Sequence, residues 1–347
     1  MGQKDSLPNR DNVLQDSSDI LSPIMKLNQD VLWRIFSVNA NMDNDEEFRV
    51  YAGDKLKYRN IRALFITWHS SQVCQLWRHF ILETSSLWAQ LIDLDGLSSV
   101  DGLMKDEIMR RTGSCALSIS GRVFGRTSSE QNFFVAILRR DWTRIRSFKV
   151  TIAQSKSIPG IIWNILSEPT NTLEYFRLRA DSGINPPDEH RPISNLFSNH
   201  APSLRSFGSW RINFNFESGT NLNWLSNIHQ LNISYMTSMS LAQWLQALEQ
   251  MPQLEDLQLI YPFPTSSSPE SDLKLPSVHL PRLLNLYIIH DLTACAVFLD
   301  RILPGVGCYL YLDTPDDIDN PPPPSTLVLA TKVLARFSQN WFASHAV

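Results

Sequence analysis

One spacing limits what this chain can fold into more than any other feature. The pattern apolar-x-x-apolar-x-apolar returns at Ile145/Phe148/Val150, Leu173/Phe176/Leu178, Leu204/Phe207, Ile228/Leu231/Ile233, Leu254/Leu257/Leu259 and Leu283/Leu286/Ile288. Successive units begin about 28 residues apart. A weaker unit, Leu310/Leu312, follows, and Ser209 holds the third apolar place of the Leu204/Phe207 unit. The alternation at the end of each unit predicts a strand with one buried face. Helical patterns precede most units, at 131–140, 161–168, 193–199, 241–250 and 294–303. Leu241, Trp244, Leu245 and Leu248 form a one-sided stripe of this kind. Pro202, Pro252 and Pro281 each stand two residues before the opening Leu of a unit, where Pro ends a helix and favours extended chain.

Strand and helix therefore alternate, which predicts an α/β fold with a parallel sheet, and a fixed period with no closing signal predicts a curved solenoid. The period lies in the range of leucine-rich repeats. Three or four inward side chains per unit, at roughly 1.5–3 kcal/mol each when buried, cannot offset an ordering cost of about 1–2 kcal/mol per residue, so only a stack of units folds. We place this degenerate leucine-rich-repeat-like solenoid at 93–320. A Pro-rich linker and a closing helix at 321–347 follow, with Leu327, Val328, Val333, Leu334 and Phe337 as its apolar positions.

Residues 1–22 are polar and without periodicity, and read as a disordered tail. Residues 23–92 read as a small helical module. In its first helix Val31, Leu32, Ile35 and Phe36 make one stripe, Asn28 is the expected N-cap, Asp30 suits the helix dipole, and Leu27 can staple onto Leu32. A polar loop at 39–60 follows. Val73, Leu76, Trp77, Phe80 and Ile81 then fall on one helical face, largely opposite Gln72, Gln75, Arg78 and His79.

The order Leu-x-x-Asp-Val-Leu-x-x-Ile-Phe over Leu27–Phe36, a loop, Ser71-x-Val73-Cys74-x-x-Trp77-Arg78 and then Ser86-Leu87-Trp88 resembles an F-box. The form is the long-loop one found in many mushroom-type (basidiomycete) fungal proteins. The stretch Met109–Ile119 also resembles the segment that follows the F-box there. The chain departs from the family in having Asn28 where Pro is usual and in the length of its loop. The resemblance implies a three-helix module that docks on the Skp adaptor of a cullin-RING (SCF-type) ubiquitin ligase. Matching positions make Leu27, Val31, Leu32, Ile35, Phe36, Val73, Cys74 and Trp77 the adaptor contacts, and the repeats would capture a protein target. The other reading is a repeat scaffold with no ligase association, its helical module serving only as a cap.

A net charge of −4 and a pI near 6.1, with Lys and Arg scattered, argue against nucleic acid or an anionic membrane as obligatory partner. No apolar run reaches membrane-spanning length and the amino end is too polar for a signal peptide, so an intracellular protein, cytoplasmic or nuclear, is expected. Cys74, Cys115, Cys295 and Cys308 have no zinc-ligand spacing and are expected to be reduced thiols. The acidic turn Asp313, Asp316, Asp317, Asp319 is broken by Pro315 and lacks the glycine of a calcium loop. No catalytic, phosphate-cradling or metal-binding motif is found, so neither an enzyme nor a cofactor is expected. The outward strand positions are the remaining candidates. Among them Arg146, Lys149, Tyr175, Arg177, Arg205, His229 and Tyr287 have the residue types of a protein-binding surface.

Overall fold

A computed structural model describes residues 26–43, 62–124, 128–153, 161–181, 196–214, 216, 222–236, 238–264, 275–315 and 322–345. The expected tail at 1–22 and most of the 39–60 loop lie outside the described residues. The chain is a mixed α/β structure built on a nine-stranded, wholly parallel sheet.

Among the described residues four helices come first: α1 (Gln29–Asn39), α2 (Ala63–Ser70), α3 (Gln75–Glu83) and α4 (Ser85–Ala89). Asn28 caps α1 as its type predicts, its side chain accepting from the Val31 amide at 2.9 Å. Phe36 is the centre of the packing, with Trp77 edge-on at 5.0 Å and Phe80 at 5.9 Å. Trp88 is buried and its Nε1 donates to the Ile81 carbonyl at 2.8 Å, which fixes α4 against the end of α3.

The first strand, β1 (Ile92–Asp93), comes immediately after, followed by α5 (Leu94–Ser98) and α6 (Gly102–Arg111). Asp101 caps α6 through the Met104 amide, and Gly113 beyond its end takes a left-handed φ of 52°. Arg62, at the start of α2, donates from Nε and Nη2 to both carboxylate oxygens of the fully buried Asp93. Arg111 donates to the Leu82 carbonyl at 2.7 Å and lies over the Trp88 ring. The helical part is therefore bonded to the sheet, and one continuous apolar core runs from Leu32 to Phe337.

The strands continue with β2 (Leu117–Val123), β3 (Ile145–Ile152), β4 (Tyr175–Ala180), β5 (Ser206–Trp210), β6 (Gln230–Ser234), β7 (Asp256–Ile260), β8 (Val278–Leu280), β9 (Asn285–Ile289), β10 (Ile302–Pro304) and β11 (Tyr309–Asp313). Each main-sheet strand lies beside the one before it, in the order β1-β2-β3-β4-β5-β6-β7-β9-β11. The register follows the apolar recurrence. Phe148, Phe176, Phe207, Leu231, Leu257, Leu286 and Leu310 form one cross-strand row, and Val150, Leu178, Ser209, Ile233, Leu259, Ile288 and Leu312 another. Ser209 is tolerated in the apolar row because its hydroxyl donates to the Ile212 carbonyl at 2.7 Å.

Between strands the chain returns through α7 (Ser128–Asp141), α8 (Ile161–Leu166), α9 (Leu241–Glu249) and α10 (Leu292–Arg301), and α11 (Pro324–His345) closes the chain. Ser240 and Gln243 form a reciprocal capping box at the start of α9. Two expected helices differ. Of the pattern at 193–199 the described residues, Leu196–Asn199, form a tight turn with left-handed φ at Phe197, Ser198 and Asn199. The cause is tertiary: the turn drives Phe197 into the core against Phe176 (5.3 Å), Trp224 (5.7 Å) and Trp142 (6.3 Å). The pattern at 294–303 is shifted, because Asp291 caps α10 early and Ile302–Pro304 leaves it as β10 to pair with β8 in a second, two-stranded sheet.

In α11 Val333 and Phe337 pack inward as expected, while Leu327, Val328 and Leu334 are exposed. Among the described residues no helix is long and apolar enough to cross a membrane.

Candidate functional site

Two surfaces carry the residues singled out by the sequence. The first is α1. Its apolar arc is wider than its own core can use, and the structure divides it. Leu32 and Phe36 are 1% exposed, Phe36 with its ring against Trp77 and Phe80 of α3, so in this structure neither presents surface to a partner. Val31 and Ile35, 38% and 39% exposed, remain outside, and Val38 at 74% extends their line by one further turn. Val73, in the turn before α3, is 65% exposed. Leu27, Cys74 and Trp77 are partly buried, Trp77 against Phe36. Val38 was missed by the sequence reading, although its position three residues after Ile35 and seven after Val31 is the signal for it. Trp33, half-exposed on the other flank of α1, is tied to α4 by its Nε1 donating to Ser86 Oγ at 3.2 Å.

The second surface is the side of the sheet turned away from the core, where all seven predicted target-binding residues are found. They are not equally available. Backbone bonds link Arg146, Glu174, Arg205, His229 and Glu255 into a row, each amide donating to the carbonyl of the residue before it in the row. Their side chains satisfy one another: Arg146 with Glu174 at 2.9 Å, Arg205 with His229 at 3.2 Å, and His229 with Glu255 at 3.1 Å. Exposed cross-strand pairs of this kind contribute roughly 0.2–1 kcal/mol each and stiffen the edge of the sheet. Lys149 is paired with Asp43 from the segment after α1, which crosses the sheet at β2 and β3 and walls a depression of about 360 Å³ beside Tyr175.

No family model, curated protein or solved structure matches the chain. Arg177 and Tyr287 remain, and both line one polar groove of about 370 Å³ that crosses β4 to β9. Its floor is the register row Arg177, Gly208, Asn232, Gln258 and Tyr287. Gly208 matters here because Arg177 folds across it: a Cβ there would stand 3.2 Å from Arg177 Cγ and 3.3 Å from Nε. Asn232 donates to Gln258, and Asp256 accepts from Gln230 and Asn285. Tyr287 stacks on Tyr311 with centroids 4.4 Å apart and planes 4° from parallel. Burial and the neighbouring Tyr311 and Asp313 raise the Tyr287 phenol above its ordinary value, so that ring is neutral near pH 7. Gly208 and Tyr311 were absent from the sequence assignment, since only the register places them with Arg177 and Tyr287.

Among the described residues no three His, Cys, Asp or Glu side chains converge as a metal site requires. All four cysteines are free thiols. Burial pushes the Cys295 thiol up to about 12 and that of Cys308 up to about 11. At pH 8 a thiolate-selective reagent is therefore expected to label at most Cys74 and Cys115 in the folded protein and all four cysteines after denaturation, as counted by mass spectrometry. The same shifts carry a sign for stability. Below the ordinary thiol value both states keep these protons; above it the unfolded chain releases them first, so stability falls as pH rises from about 9 toward 11–12.

Proposed function

We propose that the chain is a non-catalytic receptor subunit of an SCF-type ubiquitin ligase, an F-box-like protein with degenerate leucine-rich repeats. In this reading the helical part binds the Skp adaptor and the concave outer face of a repeat solenoid holds a protein target. The observation that carries it is the line Val31, Ile35 and Val38: apolar residues left open on a helix whose adjacent pair, Leu32 and Phe36, is sealed in the core. Apolar surface presented at helical spacing is what a partner helix or groove covers. The sequential parallel strands that follow agree with a repeat body. The mechanism is proximity: a tethered target meets a ubiquitin-loaded enzyme at high effective concentration without chemistry by this chain.

Copurification with the Skp adaptor tests the reading. Val31→Asp with Ile35→Asp is expected to weaken adaptor binding by about tenfold or more, since each places a charge against an apolar partner, while thermal unfolding stays near the wild type. Leu32→Asp is expected to abolish folding itself. A folded wild type that never retains the adaptor would favour the second reading, a repeat scaffold. Arg62–Asp93 and Arg111–Leu82 give that reading a specific basis, because they let the helical part act as a cap on the first strand.

A further inference from the structure

The outer groove has a chemistry of its own, and its reading rests on the assignment of this face to target binding. Among the described residues the Arg177 side chain makes no hydrogen bond and no ion pair, while those of its neighbours Arg146 and Lys149 are paired with Glu174 and Asp43. An unpaired guanidinium lying over the bare Gly208 is a site for a carboxylate, which it can grip with two parallel N–H donors.

Next along the row stand the side-chain amides of Asn232 and Gln258. Their one mutual bond leaves donors and acceptors to spare, the complement of a peptide backbone. The row ends on the Tyr287–Tyr311 stack, a flat and half-apolar platform suited to an aromatic or aliphatic side chain. Asp256, held by Gln230 and Asn285, sets its carboxyl group beside the middle of the groove and disfavours a second acid there.

From Gly208 on β5 to Tyr287 on β9 is three strand spacings, about 14 Å at roughly 4.8 Å each. An extended chain covers that in about four residues. We infer that the groove binds an extended peptide segment that sets an acidic side chain over Arg177 and an aromatic or aliphatic side chain on Tyr287–Tyr311 about four residues away.

The test is fluorescence anisotropy on the full chain, without any adaptor, so that its outcome is independent of ligase association. The probes are labelled decapeptides carrying Glu and Phe four positions apart in a Ser/Gly background, in both chain orders. At least one order is expected to bind. Replacing its Glu by Gln, or moving Glu and Phe next to each other, is expected to weaken binding about tenfold. Arg177→Gln is expected to erase the Glu-over-Gln preference while leaving the Phe dependence, and Tyr287→Ala to do the reverse. No binding in either order, equal binding of the Glu and Gln peptides, or a Glu preference that survives Arg177→Gln would overturn the inference. Retained adaptor binding alongside such a result would place the failure in the groove and leave the receptor reading standing.

Discussion

Phe176→Ala is expected to cost about 3–5 kcal/mol of folding stability, the range for aromatic truncation in a packed core. Phe176 is 1% exposed and stands mid-sheet on β4, with the Phe148 ring stacked at 5.5 Å on one side and the Phe207 ring at 5.3 Å on the other. Phe197 meets its face edge-on at 5.3 Å and Phe214 at 6.3 Å. Rings on adjacent strands are held by backbone spacing and cannot close on the void, so the lost contacts are not regained. Phe176→Leu keeps most of the volume and is expected to lose clearly less. Tyr175→Ala, on the outer side of the same strand, is expected to change stability by no more than about 0.5 kcal/mol. Urea unfolding followed by circular dichroism reads all three; a Phe176→Ala midpoint close to that of Tyr175→Ala would mean that the ring row is not the centre of the core.

Arg62→Met is the second large effect, expected at about 3–5 kcal/mol, because it strands a buried carboxylate without its partner. Asp93 is fully buried on β1, and Arg62 reaches it from the start of α2 with two donors. Gly96 leaves room for the pair, since a Cβ there would come within 2.6 Å of Asp93 Oδ2. The double variant Arg62→Met with Asp93→Leu removes both charges and is expected to recover most of the loss, in keeping with buried pairs that give little net stability but cannot be broken singly. Denaturant midpoints of the two single variants and the double variant give the coupling. Equal losses in single and double variants would show that packing, not charge, governs this joint.

Much of the sheet was legible before any coordinates. The residues at Phe176, Phe207, Leu231, Leu257 and Leu286 were named as equivalents from spacing alone, and they stand in one cross-strand row. This works because a strand with one buried face writes its register into the sequence as alternation. The helices were less legible. Left-handed Arg211, Tyr235 and Tyr261, whose amides continue the ladder to Ser234, Ile260 and Ile289, have no glycine to announce them. β8 and β10 are too short to show a period and exist because each supplies the other's hydrogen bonds.

The candidate surfaces divide in the same way. The sequence by itself determined that α1 is apolar over a wide arc and that Arg177 and Tyr287 point away from the core, since both follow from residue type and period. Only the tertiary structure decided that Leu32 and Phe36 are consumed by packing while Val31, Ile35 and Val38 stay open, and that Arg146 and Lys149 are neutralised while Arg177 is not. Periodicity states which face a side chain takes; whether another group already occupies the space in front of it depends on residues distant in the chain.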